Sequence, residues 1–366
     1  MKNRALLPKT SFVIWVSLLP LKRLNLNGKN KMTSKQINEQ QRVKFYQTGT
    51  FTVGNRLLDE KYRTVQATTE RSNSIDSGHR ACQGCGEALG ARYALDAVCR
   101  ATNNKMIAAN ATGCLEVFTT PYPETAWNIP WMHSLFGNAA SVASGIAAAL
   151  KAKGDNETRV IAQGGDGGTT DIGFATLSGM FERNDDVLYL CYNNEGYMNT
   201  GVQRSSATPG GARTSTTMPL GDNPGSSFST GKNVPLIAMA HEIPYVATAS
   251  VHDLHDLEHK VEQAMTYRGA RYIEVFVPCP LGWGSKPADT IKLARLGAET
   301  GLVPLYEAID GELVNSTTIR HRRPVEDYLK LQRRYAHVFK PGNEHELEAI
   351  QALANKNIRR FNLLQD

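Results

Sequence analysis

The chain has no apolar stretch long enough to cross a bilayer and no second metal-ligand pair beside its single C-x-x-C. It also lacks internal repeats and low-complexity tracts. Each absence narrows the field. The nearest thing to a membrane or export signal, residues 11–19 (SFVIWVSLL), falls far short of the ~20 apolar residues of a spanning helix. Pro20, Lys22 and Arg23 follow it instead of a small-residue cleavage site. Residues 1–31 therefore read as an over-extended, non-native or disordered start, and the protein as cytoplasmic with no membrane association. Charge of one sign is also missing where it would matter. Seven of the 41 basic residues lie in residues 1–31 without a single acid, leaving 34 against 35 acids in the remainder. The net charge of +6 belongs to the leading segment, and no basic stripe remains to suit a nucleic acid.

Cysteine is scarce as well, six in 366 residues: Cys82, Cys85, Cys99, Cys114, Cys191 and Cys279. A chain of this length buries enough core to fold without disulfides, and a cytoplasmic setting disfavours them. Cys82 and Cys85 form the C-x-x-C, which alone fits zinc, a redox pair or a cluster loop. Structural zinc usually takes a second close pair. The flanking glycines fit a thioredoxin-like motif poorly. Cys114 and Cys279 fall at expected strand ends, whereas Cys99 lies in a helical stretch and Cys191 within a strand, where cysteine serves as a small hydrophobe. Four loop cysteines remain, the number a 4Fe–4S cluster needs.

What is present is an alternation of strand-like and helix-like segments between residues 76 and 286. Residues 105–109 (KMIAA), 159–162 (RVIA), 187–192 (VLYLCY) and 272–277 (YIEVFV) read as buried strands. Residues 87–100, 138–153, 174–182 and 255–267 read as helices. This order predicts an α/β fold, a doubly wound parallel sheet that binds ligands at the carboxyl ends of its strands. Residues 32–75 read as an N-terminal arm. Residues 287–366 read as a C-terminal helical extension, with helical stretches near 325–338 and 344–361.

The string GGDGGTTDIG puts Asp166 between glycines at a strand end, and 28 residues later the next strand runs into Asn193, Asn194, Glu195 and Gly196. A lone GDG reads equally as a turn. Paired with a second strand ending in NN, it resembles the motif of thiamine-diphosphate enzymes. In that motif a divalent cation, taken by Asp166, the Asn194 side chain and the Gly196 carbonyl, offsets the diphosphate charge. Around this pair stand GHRACQGCGEALG, NATGCLEVFTTPYPETAW, FGNAAS, NNEGYMNTGVQRSSATP and PCPLGW, in order. Together, over residues 78–283, they resemble the β subunit of pyruvate:ferredoxin oxidoreductase (pyruvate synthase), of the 2-oxoacid:acceptor oxidoreductase family.

That resemblance implies the diphosphate-binding type of thiamine domain, with thiamine diphosphate, Mg²⁺ and a 4Fe–4S cluster as cofactors. It implies cluster ligands at Cys82, Cys85, Cys114 and Cys279, and cofactor contacts from Glu87, Cys114, Asp166, Gly167, Gly168 and Thr169. Further contacts fall at Asn194, Glu195, Gly196, Tyr197, Met198 and Asn199, with Asn199 facing the thiazolium and the substrate. The activity implied converts pyruvate and coenzyme A to acetyl-CoA and CO₂, reversibly, with electrons leaving to ferredoxin or a flavodoxin. The partners implied are an α subunit carrying the pyrimidine half of the site, a γ subunit and a ferredoxin-like δ subunit. Rival readings are the same chemistry on 2-oxoisovalerate, phenylglyoxylate, indolepyruvate or 2-oxoglutarate, a non-oxidative thiamine-dependent decarboxylase or synthase, and a zinc-stabilised interaction subunit.

Overall fold

The computed structural model describes residues 73–121, 123–221, 225–226 and 231–364. Residues 1–31 and nearly all of the 32–75 arm lie outside them. Helix α1 (Gly86–Thr102) starts where Cys85 is extended and its Sγ accepts the Ala88 N–H at 3.4 Å. Glu87 in the first turn complements the helix dipole, and Asn103 in the left-handed conformation, at φ 51°, ends the helix.

There follow β1 (Met106–Ala111), α2 (Cys114–Thr119), β2 (Trp131–Ser134), α3 (Ala139–Ala152) and β3 (Arg159–Gly165). Next come α4 (Phe174–Glu182), β4 (Val187–Asn193), α5 (Val234–Ala240), β5 (Tyr245–Ser250), α6 (Leu254–Thr266) and β6 (Arg271–Phe276). The chain closes with α7 (Pro280–Trp283), α8 (Thr290–Glu299), β7 (Tyr306–Ile309), β8 (Glu312–Ser316), α9 (Val325–Leu329) and α10 (Glu344–Arg360).

The strands form one sheet in the order β2-β1-β3-β4-β6-β5-β7-β8. The first six run parallel, and β7 and β8 are added antiparallel at one edge. Alternation along β4 builds both cores. Val187, Tyr189 and Cys191 pack with α3 and α4 on one face, while Leu188, Leu190 and Tyr192 pack with α1 and α6 on the other. Helices on both faces explain why the parallel strands read as continuous apolar runs.

The doubly wound parallel sheet is therefore as expected from the alternation of segments. Two parallel strands, β2 and β5, went unread: one is four residues long, and the other, YVATAS, carries little bulk. The C-terminal extension departs from a purely helical reading. It supplies β7 and β8, and its 325–338 stretch is a short helix followed by a single 3₁₀ turn at Arg333–Tyr335, whereas Glu344–Arg360 is one continuous helix.

The chain leaves β1 toward β2 and leaves β3 toward β4, on opposite sides, so the switch of winding direction falls between β1 and β3. A crevice opens at such a point, outside the carboxyl ends of the strands.

Candidate functional site

The carboxyl ends of the adjacent strands β1, β3, β4 and β6 lead into the segments singled out in the sequence: Thr112–Gly113–Cys114, Asp166–Gly167–Gly168, Asn194–Glu195–Gly196 and Pro278–Cys279. A cavity of about 60 Å³ lies at the β1/β3 switch, lined by Glu87, Cys114, Asp166, Gly167, Asn194 and Gly196, with Phe136, Tyr197, Met198 and Asn199 toward its mouth.

Asp166 and Asn194 are almost wholly buried. The Asp166 carboxylate accepts the Asn194 backbone N–H at 3.3 Å and a hydrogen bond from the Ser205 hydroxyl. Burial holds its carboxyl well above the usual range, against the lowering effect of those two hydrogen bonds. The Asn194 side chain donates from Nδ2 to Glu87 Oε2 at 3.2 Å, while its Oδ1 is buried without a partner. An orphaned acceptor beside a carboxylate that burial disfavours as an anion is a place where a cation relieves two costs at once. The oxygens on offer, one carboxylate, one amide and nearby backbone carbonyls, suit a hard ion such as Mg²⁺. Glu87 joins the loops: its Oε1 accepts the Leu115 N–H at 3.2 Å, and burial raises its carboxyl to about 7.

After Asp166 the chain makes one π-helical turn, Gly168–Ile172, of the kind found at functional sites. The Tyr197 hydroxyl donates to the Gly167 carbonyl at 3.1 Å and to Asp171 Oδ2 at 2.9 Å, and the same Asp171 oxygen accepts the Ser206 N–H at 3.1 Å. The Tyr197 ring lies so close over Gly167 that a Cβ there would meet it at 2.5 Å, so no larger residue fits.

All six cysteines are free thiols. Cys99 and Cys191 are buried in α1 and β4. Cys82 is exposed, and Cys85, Cys114 and Cys279 are half-buried. Cys114, Cys85 and Cys279 lie within electrostatic reach of one another, and Cys82 of Cys279. Burial, with Glu87 as the next contributor for Cys85, pushes the Cys85 thiol up to about 12, and burial pushes Cys279 up to about 11. Cys114 is raised further, again by burial first. Loops that carry these residues are tied together: the Gly86 N–H bonds the Pro278 carbonyl at 3.2 Å and the Thr290 hydroxyl bonds the Gly84 carbonyl at 2.6 Å. Among the described residues no three His, Cys, Asp or Glu side chains converge on a single metal-sized point. A cluster with a different iron under each thiolate does not require them to.

Two of the residues expected to contact cofactor turn their side chains elsewhere. Thr169 is fully buried, its hydroxyl donating to the Gly165 carbonyl at 2.7 Å and paired with the Tyr189 hydroxyl at 3.0 Å. Glu195, with φ 66°, points away from the pocket and pairs with Arg334. Asn199 stands exposed at the rim. The structure also adds Ser205, Asp171, Trp283 and Arg334 to the site's supports. Ser205 and Trp283 lie inside the motifs quoted above, whereas nothing local marks Arg334.

Residues 111–275 match the family described as thiamine pyrophosphate enzyme, C-terminal TPP binding domain. The chain is 51% identical over 261 residues to pyruvate synthase subunit PorB of Methanothermobacter thermautotrophicus, covering 71% of this chain and 89% of that one. It is 46% identical over 291 residues to the PorB subunit of Methanosarcina barkeri, covering 79% of this chain and 97% of that one. It is 42% identical over 282 residues to ketoisovalerate oxidoreductase subunit VorB of Pyrococcus abyssi, covering 75% and 88%.

Proposed function

The chain belongs to the family of pyruvate synthase subunit PorB, and from that premise we propose that it is the cofactor-binding β subunit of a cytoplasmic pyruvate:ferredoxin oxidoreductase. The overall reaction takes pyruvate, coenzyme A and two oxidised ferredoxins to acetyl-CoA, CO₂, two reduced ferredoxins and a proton. The observation that carries this reading is the unpartnered Asn194 Oδ1 beside the buried Asp166 carboxylate, at the crevice between β1 and β3.

Asp166, Asn194 and the Gly196 carbonyl would hold Mg²⁺, and through it the diphosphate of thiamine diphosphate. The backbone N–H groups of Gly167 and Gly168, at the start of the π-helical turn, would reach the phosphates. Thiamine diphosphate, once bound, would supply a nucleophilic carbon for the 2-oxo group and a sink for the charge left by loss of CO₂. Glu87 holds the Asn194 amide and the Leu115 N–H in place from beneath. Cys82, Cys85, Cys114 and Cys279 would hold a 4Fe–4S cluster, which takes up electrons singly. Asn199, at the rim, would touch the substrate end of the cofactor.

The cavity is small beside a whole cofactor, and the residues that line it supply only a diphosphate end. Leu135, next to Phe136, and Ile172, the last residue of the π-helical turn that starts at Gly168, stand 73% and 67% exposed, apolar surface of the kind a partner covers. This supports an α subunit that brings the pyrimidine half and closes the site, with γ and δ subunits completing the assembly. Among the described residues no helix is long and apolar enough to cross a membrane. The VorB relative favours a second reading, in which the same chemistry acts on 2-oxoisovalerate.

Reconstitution with the α, γ and δ subunits tests both. Pyruvate-dependent, coenzyme A-dependent ferredoxin reduction is expected from the complex and none from this chain alone. Faster turnover of 2-oxoisovalerate would select the second reading, and dye reduction by the isolated chain would refute the divided site.

A further inference from the structure

Arg334 comes from the 3₁₀ turn of the C-terminal extension and reaches the site from 139 residues beyond Glu195 in sequence. It is 5% exposed, with Nε, Nη2 and the face of its guanidinium all engaged. Nη2 pairs with Glu195, Nε donates to Gln332 Oε1 at 2.8 Å, and the guanidinium carbon sits over the Trp283 ring, 3.8 Å from its centre. The Trp283 indole N–H in turn donates to the Asn194 carbonyl at 2.9 Å, and the Arg334 carbonyl accepts the Arg213 N–H at 3.0 Å. A buried cation thus braces a turn in which Glu195 is held at φ 66°, a conformation costly for a residue with a side chain. Trp283 belongs to α7, whose N-cap is Cys279, and its backbone N–H donates to the Cys279 carbonyl at 2.9 Å, so the ring under the guanidinium is tied directly to that cysteine.

We propose that Arg334 is a positioning residue shared by the two centres, clamping the Glu195 turn that presents Asn194 and Gly196 while setting its positive charge beside the Cys279 end of the cluster. The inference rests on the cluster and cofactor assignment above. Its physical content is specific. A cation near an iron–sulfur cluster favours the reduced, more negative state, and its ion-pair partner opposes that effect. Lysine would keep the charge but cannot stack on Trp283 while bonding both Glu195 and Gln332.

The test uses the assembled complex carrying R334Q, R334K or E195Q, with EPR-monitored redox titration and thiamine diphosphate titration. The signal lost in a Cys279→Ser complex identifies this chain's cluster. If no signal depends on Cys279, the cluster assignment fails, and this proposal with it. With that signal present, R334Q should lower its midpoint and E195Q should raise it, each on the order of tenfold in electron partition, about 59 mV for a one-electron couple. R334K should leave the potential in place while weakening thiamine diphosphate binding about tenfold. General loosening of the fold would move R334Q and E195Q in the same direction. Same-sign shifts, or no shift in either, overturn the proposal. Should R334Q fail to assemble, a midpoint raised in E195Q and unmoved in R334K supports it, and any other pattern refutes it.

Discussion

Replacing Asp166 by Asn separates what this residue does for the fold from what it does for the cofactor, because the two effects have opposite signs. The side chains have nearly the same shape, and the amide oxygen can still accept the Asn194 N–H that Asp166 now accepts at 3.3 Å. In the chain without cofactor, the substitution removes a carboxylate that burial holds well above its usual proton affinity, so stability should be unchanged or slightly raised. With cofactor the balance reverses. Two opposite unit charges about 4 Å apart attract by about 4 kcal/mol at an effective dielectric of ~20, and a divalent ion held directly attracts more strongly, so affinity for the metal–diphosphate unit should fall at least about 10³-fold. Thermal melting of the assembled complex, with and without Mg²⁺ and thiamine diphosphate, reads both effects. At a ligand concentration 100 times its dissociation constant the wild type gains about 2.7 kcal/mol, and at that same concentration the variant should gain less than ~0.1 kcal/mol. A D166N complex that keeps the full cofactor-dependent shift would refute the assignment of Asp166 to the metal. A variant that melts well below wild type without cofactor would show that the carboxylate is a structural group.

Two further outcomes follow from the same geometry. Cys279→Ser should lower the iron content of the complex. Cys191→Ala, in the core face of β4, should leave iron unchanged and cost only about 1 kcal/mol of stability; equal iron loss from the two would overturn the sorting of loop from core cysteines. Glu274 on β6, held by Asn193 and the Tyr272 hydroxyl, has a carboxyl that burial raises from 4.5 to about 7. The native state therefore binds its proton more readily than the unfolded chain. The resulting stability is complete below about pH 4.5 and lost as pH rises through about 7. Glu274→Gln should accordingly raise the melting temperature at pH 8, by the equivalent of ~3 kcal/mol, and give little of that gain at pH 5. A gain independent of pH would refute the raised carboxyl, because it would mean that the folded and unfolded chains bind this proton equally well.

The parts of the molecule legible in the sequence are those whose cause is local. Strands β1, β3, β4 and β6 were readable because strands covered on both faces must be continuously apolar. The segments after them were readable because Gly-Asp-Gly at one strand end followed by Asn-Asn at the next is a pairing with few other uses. The separation of Cys99 and Cys191 from the four loop cysteines followed from the same periodicity, since one sits in a helix and the other in mid-strand. Strand β5 was missed because small residues in YVATAS carry little β signal, and β7 and β8 because short edge strands in a charged tail look like any surface segment.

Which side chains meet was decided only in three dimensions. Glu87 reaches Asn194 across 107 residues, Ser205 reaches Asp166 across 39, and Arg334 reaches Glu195 across 139. Each contact depends on which strands lie side by side in the sheet and on where a distant turn folds back, and no local pattern records either. The same holds for Thr169 and Glu195, which the motif placed at the cofactor. Their backbone positions follow from the string of residues, but the π-helical turn and the left-handed φ rotate their side chains toward Tyr189 and Arg334. The sequence by itself determined the chemistry available at the strand ends, because residue type and strand period are local properties. Only the tertiary structure decided which of those groups share one crevice and which brace it from behind, because burial and pairing arise from packing between segments far apart in the chain.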